Sequence, residues 1–450
     1  MVQSETWLTP QDIDFATDAR PEETLKMVEK YQDLPRIIVT AAGQKHGTVA
    51  VKFKEVAVDL HKRLKLDTTK KPSDADQSGA PRTDKDPEYD NESPYEITTL
   101  RYDRITDGRH AEVEFINDWK KGAERRDLTI NSMFLSLDDG KLVDYFGGER
   151  DCHEGVVRFV GEPVERIKED YLRILRYFRF LLRFSRQDPK KEQLDAIRTN
   201  LEGLKQISGK RIWPELKKMF CYLPCSRVVE LMLDIRLFDY TGLTQSDTPD
   251  YQTYMKDVMA ELKEVESNVK RYHDEHLCHM LKDTPNDTRL KRTKDLLPCI
   301  VFSPCVRSDE SCFQAYNRLK FSNLENDTIL NILSNRGENP SIESIKMQIA
   351  LASASDRHQT VQRLKAFILI HRGKFECIKS IEDRVVPTFP LNGRTVSKVI
   401  KERNLPNSKT KEVIESVKIE WAKGSYGASE SELKELMLDI VNKMVTERKE

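Results

Sequence analysis

Asp12 and Asp14 stand two apart in the run Asp12-Ile13-Asp14-Phe15-Ala16-Thr17. On a β-strand, side chains two apart share a face, so both carboxylates project together while Ile13 points into a core. Such hard oxygen ligands suit magnesium, which keeps positions open for water and phosphate oxygens. The same spacing also occurs on plain surface loops, so the pair alone does not decide. Glu96, in the strand-like run Tyr95-Glu96-Ile97-Thr98-Thr99-Leu100-Arg101, can stand beside the aspartates as a third carboxylate or be an ordinary exposed strand glutamate. Arg125, Arg126, Asp127 and Asn131 crowd into one polar turn. That mixture can grip a triphosphate and a ribose hydroxyl through charge-assisted and neutral hydrogen bonds, or do no more than cap and pair locally.

The stretch Val164 to Phe184 supplies the fourth set. Read at about 100° per residue, it is a single amphipathic helix with Tyr171, Ile174, Leu175, Phe178, Leu181 and Leu182 on one arc. Arg173, Arg176, Arg179 and Arg183 gather opposite. Like charges three and four positions apart repel, so an all-arginine face calls for an external anion such as phosphate or for acids from elsewhere in the fold. On the same wheel Asp170 falls about 60° from Arg173. An acceptor beside a fork of donors complements the pairing edge of a nucleobase.

The elements that must position these groups follow from patterning. Helix is expected over 22–32, strands over 36–40 and 45–51, and a disordered Pro-, Asp-, Ser- and Lys-rich insertion over 65–94. Residues 107–115 read as a mobile loop running into an alternating segment. Asp144-Tyr145-Phe146-Gly147-Gly148 marks a strand end and glycine turn, after which the chain is expected to be almost wholly helical. Ser208 caps a helix with Pro214 in its first turn, and helical periodicity recurs over 226–240, 251–270, 344–370 and 408–422. The run His273-Asp274-Glu275-His276-Leu277-Cys278-His279 lacks the second half of a zinc motif.

At 450 residues the chain can hold two to four domains, and its net charge of −1 leaves any nucleic-acid contact to local basic patches. Eight cysteines without a framework read as reduced thiols. No apolar run is long enough to span a membrane. The first residues carry no apolar targeting core and no arginine before Arg20, so location is open between cytosol, nucleus and an organelle entered by a longer form.

In order, DIDFAT, EITTLR, DGRHAEVEF, RRDLTIN, DYFGG, EDYLRILRYFRF and ISGKRIWPEL resemble the motif series of the class II CCA-adding tRNA nucleotidyltransferases, in their eukaryotic mitochondrial and cytosolic form. The match covers 11 to about 220; beyond it, helical character, a Pro-x-x-Gly sequence at Pro390 and Trp421 agree. The resemblance implies an α+β fold: a small nucleotidyltransferase (polymerase beta-like) sheet head, then an all-α neck, body and tail. The expected limits are 1–150, 151–220, 221–340 and 341–450. It implies Asp12 and Asp14 as Mg²⁺ ligands with Glu96 as third carboxylate, and Arg126, Asp127 and Asn131, with Arg125, on ribose and phosphate. Asp170 and Arg173 resemble the protein template for the incoming base, and Arg176 and Arg179 complete the nucleotide pocket. Substrates would be CTP, ATP and tRNA, with no membrane partner and a monomer or homodimer. The family's Gly-Gly-x-Val-Arg-Asp segment has no counterpart before Asp12, so the head is expected to be truncated. A catalytically impaired tRNA-binding relative and a poly(A) polymerase of the same family are the alternatives.

Overall fold

The computed structural model describes residues 14–30, 37–40, 47–53, 95–106, 111–243, 250–280, 297–337, 341–352, 357–370, 389–424 and 426–447. Asp12, the expected insertion 65–94 and loop residues 107–110 lie outside these. The chain divides into two compact units, Met1–Asp170 and Tyr171–Glu450.

The first unit is built on a four-stranded sheet in the order β1 (Asp14–Thr17), β4 (Tyr95–Thr99), β3 (Thr48–Phe53), β2 (Ile37–Thr40). β1 and β4 run parallel and the other neighbours antiparallel. Alternation along β3 decides which face is covered. Val49 and Val51 are buried against Val28 and Leu25 of helix α1 (Pro21–Glu29), and Ile97, register partner of Val49, joins them. Asp14, Glu96 and Ala50 are partners in register and so share the opposite face. Leu100, just past β4, is buried and lies where a side chain on Gly122 would be.

A hairpin of β5 (Arg101–Thr106) and β6 (Ala111–Phe115) leads to helix α2 (Trp119–Glu124). α2 is capped by Asp118, whose carboxylate accepts the Lys121 N–H at 3.1 Å. The short hairpin β7 (Phe134–Leu135) and β8 (Leu142–Val143) precedes helices α3 (Gly148–Glu154) and α4 (Pro163–Glu169).

The helix expected from Val164 to Phe184 is two helices. α4 ends at Glu169, Asp170 is extended (φ −156°, ψ 106°), and α5 runs Arg173–Phe184. Tertiary packing overrides the periodicity at this point. The Tyr171 ring fills the space beside Gly203, where an added Cβ would come within 2.0 Å of ring carbons. The 60° offset between Asp170 and Arg173 therefore does not hold, because Asp170 is off the helical wheel.

Described residues of the second unit are helical. α5 buries Ile174, Leu175, Tyr177, Phe178 and Leu181, adjoining α7 (Gly209–Phe220), which follows α6 (Lys191–Asn200). Pro214 lies in the interior of α7 rather than its first turn, and the Ser208 side chain makes no cap bond. The Ser208 carbonyl instead accepts from Arg211 and Ile212 N–H at 2.9 and 3.1 Å. Trp213 packs edge-on to Phe302 and tilted on Phe321, with centroids 5.5 and 4.6 Å away. Its indole N–H donates to buried Glu325 at 3.1 Å, and Lys217 reaches the same oxygen at 3.1 Å. Burial pushes the Glu325 carboxyl up, but hydrogen bonds from Ser322 and Lys217 outweigh that and hold it below the usual range. The periodicity over 344–370 likewise resolves into two helices, Ile342–Leu351 and Arg357–Ile370. A separate core near the end gathers Val396, Ile400, Val413, Val417 and Met437 around Trp421.

Candidate nucleotidyl-transfer site

Two of the three expected carboxylates can be placed. Asp14 and Glu96 are register partners on adjacent parallel strands, both exposed on the face away from α1. Neighbouring strands lie about 4.8 Å apart, so two hard oxygen donors stand side by side and open to solvent. A hydrogen bond between Thr48 and Thr98 hydroxyls, 3.3 Å long, lies on the same face one step along the ladder. Among the described residues no third carboxylate, histidine or cysteine completes a metal cluster.

The Arg125–Asn131 turn is tied to its surroundings with unusual density. Arg125 is the C-cap of α2. Asp127 is only 6% exposed, and its Oδ1 accepts both the Leu128 N–H at 2.9 Å and the Asn131 amide at 3.1 Å. Of the two expected uses the local one is seen: Asp127 bonds within its own turn, and in doing so fixes the direction of Asn131, the less buried partner. Residues 129–131 form one 3₁₀ turn. The Thr129 hydroxyl donates to buried Asp151 at 2.6 Å, and Arg158 Nε donates to the same Asp151 oxygen at 2.7 Å. Backbone bonds from Thr129 N–H to the Arg158 carbonyl and from Val160 N–H to the Asp127 carbonyl, 3.0 and 3.1 Å, close the clamp.

The DYFGG run acquires a mechanical role here. Asp144 accepts backbone N–H groups from Phe146, Gly148 and Glu149 at 3.0 to 3.1 Å, capping α3. Burial pushes its carboxyl up, but these donors outweigh it and hold Asp144 below the ordinary range. Gly147 adopts φ +76°, and a Cβ on Gly148 would lie 2.2 Å from the Thr129 carbonyl oxygen. Glycine is thus what lets α3 approach the Arg125–Asn131 turn so closely. Asp151, Arg158 and Thr129 were not foreseen from the sequence. Their only signal there was the charged pair flanking Gly155, whose partners are set by tertiary contact.

In the second unit, Arg173 and Arg176 are half-buried on the first two turns of α5. Arg179 is held by Glu215 of α7 at 2.7 Å, with both side chains largely buried. For this arginine the structure shows a partner acid within the fold. Asp170 closes the first unit, half-buried, in extended backbone just past α4. The α4 turn beside it is pinned by Arg166, which donates to the Glu124 carbonyl at 2.7 Å and pairs with Glu169. The described cysteines are free, and burial pushes the Cys305 thiol up to about 12, which makes it no nucleophile. No described helix is long and apolar enough to cross a membrane.

Paired carboxylates on a small sheet, followed beyond β8 by described elements that are all helices, are the architecture of a nucleotidyltransferase head with a helical remainder. The fold agrees with the CCA-adding enzyme of Bacillus stearothermophilus solved in complex with CTP, at TM-score 0.64 and 18% identity over 98% of this chain and 91% of that one. The Thermotoga maritima CCA-adding enzyme complexed with tRNA aligns at TM-score 0.53 and 17% identity over 96% and 87%. The Poly A polymerase head domain family matches residues 75–158, and the family described as a probable RNA and SrmB-binding site of polymerase A matches 188–241.

In sequence, the chain is 32% identical to the mitochondrial CCA tRNA nucleotidyltransferase 1 of Danio rerio over 94% of its length and 82% of that protein's. The Homo sapiens protein of the same name is 32% identical over 94% and 81%. The chain belongs to the class II CCA-adding tRNA nucleotidyltransferases.

Proposed function

We propose that this protein adds C, C and A to the 3′ end of tRNA from CTP and ATP, without a nucleic-acid template. The observation that carries the reading is the Asp14–Glu96 pair on adjacent parallel strands of the head, in a chain whose family membership extends over 94% of its length. Related folds solved with CTP and with tRNA support the choice of substrates. The relatives that span nearly the whole chain add CCA, which disfavours a poly(A) product.

The donor set fits divalent cations, since both placed groups are solvent-facing carboxylates. We assign magnesium, held by Asp14 and Glu96 with Asp12 as the remaining ligand. When bound, the ions ease deprotonation of the tRNA 3′-hydroxyl and neutralise charge on the phosphates. The hydroxyl oxygen attacks the α-phosphorus in line. Its bond forms as the α–β phosphoanhydride breaks, and pyrophosphate leaves. Arg125 and Arg126 grip the phosphates, and Asn131, oriented by Asp127, hydrogen-bonds the ribose. Asp170 and Arg173 read the base, and Arg176 and Arg179 border its pocket. Cytosine and adenine each offer an exocyclic amino donor beside a ring-nitrogen acceptor, whereas guanine and uracil present the reverse order and leave a charge unmatched. The vertebrate relatives are named as mitochondrial; we assign the same compartment, with cytoplasm or nucleus as a second location.

Purified protein given tRNA lacking its 3′ CCA, labelled CTP and magnesium should incorporate label, and a chelator should stop it. Retained tRNA binding without incorporation would mark a catalytically impaired relative instead. Asp170→Ala should raise GTP and UTP incorporation relative to CTP by about 10- to 100-fold, the equivalent of one or two mismatched contacts. Undiminished rejection of GTP and UTP would remove Asp170 from base reading.

A further inference from the structure

The far end of α5 carries a group that nucleotide selection does not use. Phe180 and Phe184 stack with ring centroids 5.8 Å apart and planes 26° from parallel. The Arg183 guanidinium lies 5.6 Å from the Phe184 ring and 5.5 Å from that of Tyr222, which enters from the turn after α7. Phe184 is 38% exposed and Tyr222 39% exposed. Arg183 is exposed and, among the described residues, has no carboxylate partner, in contrast to Arg179 one turn earlier. The Arg179–Glu215 bond ties α5 to α7 close to the group, so the rings from both helices are held in place.

Phenylalanine and tyrosine left half in water beside an unpaired guanidinium form a flat, cationic surface. A planar π-system stacks on such faces regardless of its identity, and the guanidinium neutralises an adjoining phosphate. Arg183 is ten residues from Arg173, or about 15 Å along the helix from the arginine assigned to the base, and one turn beyond Arg179 at the border of that pocket. An acidic peptide would satisfy the arginine but leave the ring faces uncovered.

We propose that Phe180, Arg183, Phe184 and Tyr222 form a stacking platform for an unpaired base of the RNA strand being extended. This rests on the reading of the chain as a tRNA nucleotidyltransferase. The platform gives the primer a second hold on the same rigid helix that carries Arg173 and Arg176, and it acts on any base, because stacking is tolerant of sequence.

The test uses the full chain and a fluorescein-labelled 12-nucleotide single-stranded RNA, followed by anisotropy, with thermal melting of every variant. Tyr222→Ala and Phe184→Leu should each weaken binding about tenfold, while Tyr222→Phe keeps wild-type affinity because it keeps the ring. Arg183→Gln should lower the slope of log Kd against log salt by about 0.7, one phosphate contact on a single strand. Variants that melt like wild type and bind the RNA as tightly overturn the platform, as does a wild-type protein that ignores the oligonucleotide. C addition measured on the wild-type preparation separates the two readings. Activity with unchanged variant affinities sinks the platform alone, and absence of activity sinks the nucleotidyltransferase reading.

Discussion

Replacing Asp14 by alanine is expected to cut nucleotide incorporation by at least about three orders of magnitude while leaving tRNA affinity within about twofold. The magnitude follows from the several kcal/mol that bound divalent ions contribute to charge stabilisation in phosphoryl transfer. The selectivity follows from position. Asp14 is exposed, at the start of an edge strand, on the face away from the α1 core. Its loss removes no buried apolar contact. Single-turnover incorporation of labelled CTP, beside a filter-binding assay for tRNA, measures both quantities. Activity within about tenfold of wild type would show that metal is held elsewhere, and a matched collapse of tRNA binding would show that the change is structural.

Gly148→Ala is expected to destabilise the first unit by about 3 kcal/mol, at the upper end of the usual penalty for inserting a carbon into a packed site. The added Cβ would meet the Thr129 oxygen at 2.2 Å, the Thr129 carbonyl carbon at 2.9 Å and Met133 Cγ at 3.0 Å. The Met133 side chain can swing aside. The Thr129 carbonyl cannot do so freely, because it accepts from the Ser132 hydroxyl at 2.8 Å while the Thr129 side chain is bonded to Asp151. The turn must therefore shift, and Asp127 and Asn131 shift with it. We expect a lower urea midpoint and a raised KM for CTP in the same variant. Wild-type stability together with wild-type KM would mean that α3 does not position the turn.

Much of the head was legible because strands write their faces into alternation. The strand expected over 45–51 appears as β3 with Val49 and Val51 on its buried side, and Asp14 and Glu96 both fall on strands, while Asp12 and Ile13 lie outside the described residues. That β1 would pair in parallel with β4, some 80 residues away, is not a local property, yet it is what brings Asp14 beside Glu96. The Val164–Phe184 stretch shows the opposite case. Its periodicity is strong, and it is interrupted at Asp170 because the Tyr171 ring seats on Gly203, a contact no helical wheel contains. Similarly, the run of arginines looked uniform in sequence, but Arg179 is committed to Glu215 and Arg183 to two aromatic rings. Equivalent residues on one face thus acquire different chemistry from what α7 places opposite them. The clamp of Thr129, Asp151 and Arg158 was invisible for the same reason: each member is an ordinary polar residue until the chain turns back on itself.

Sequencing the 3′ ends of tRNA after incubation with CTP, ATP and magnesium tests the central claim most directly. The Asp14–Glu96 site, working with a protein-borne base reader, predicts that transcripts lacking the terminus gain C, then C, then A, and stop there. Tails of repeated A, or ends left unextended by protein that still binds tRNA, would contradict it.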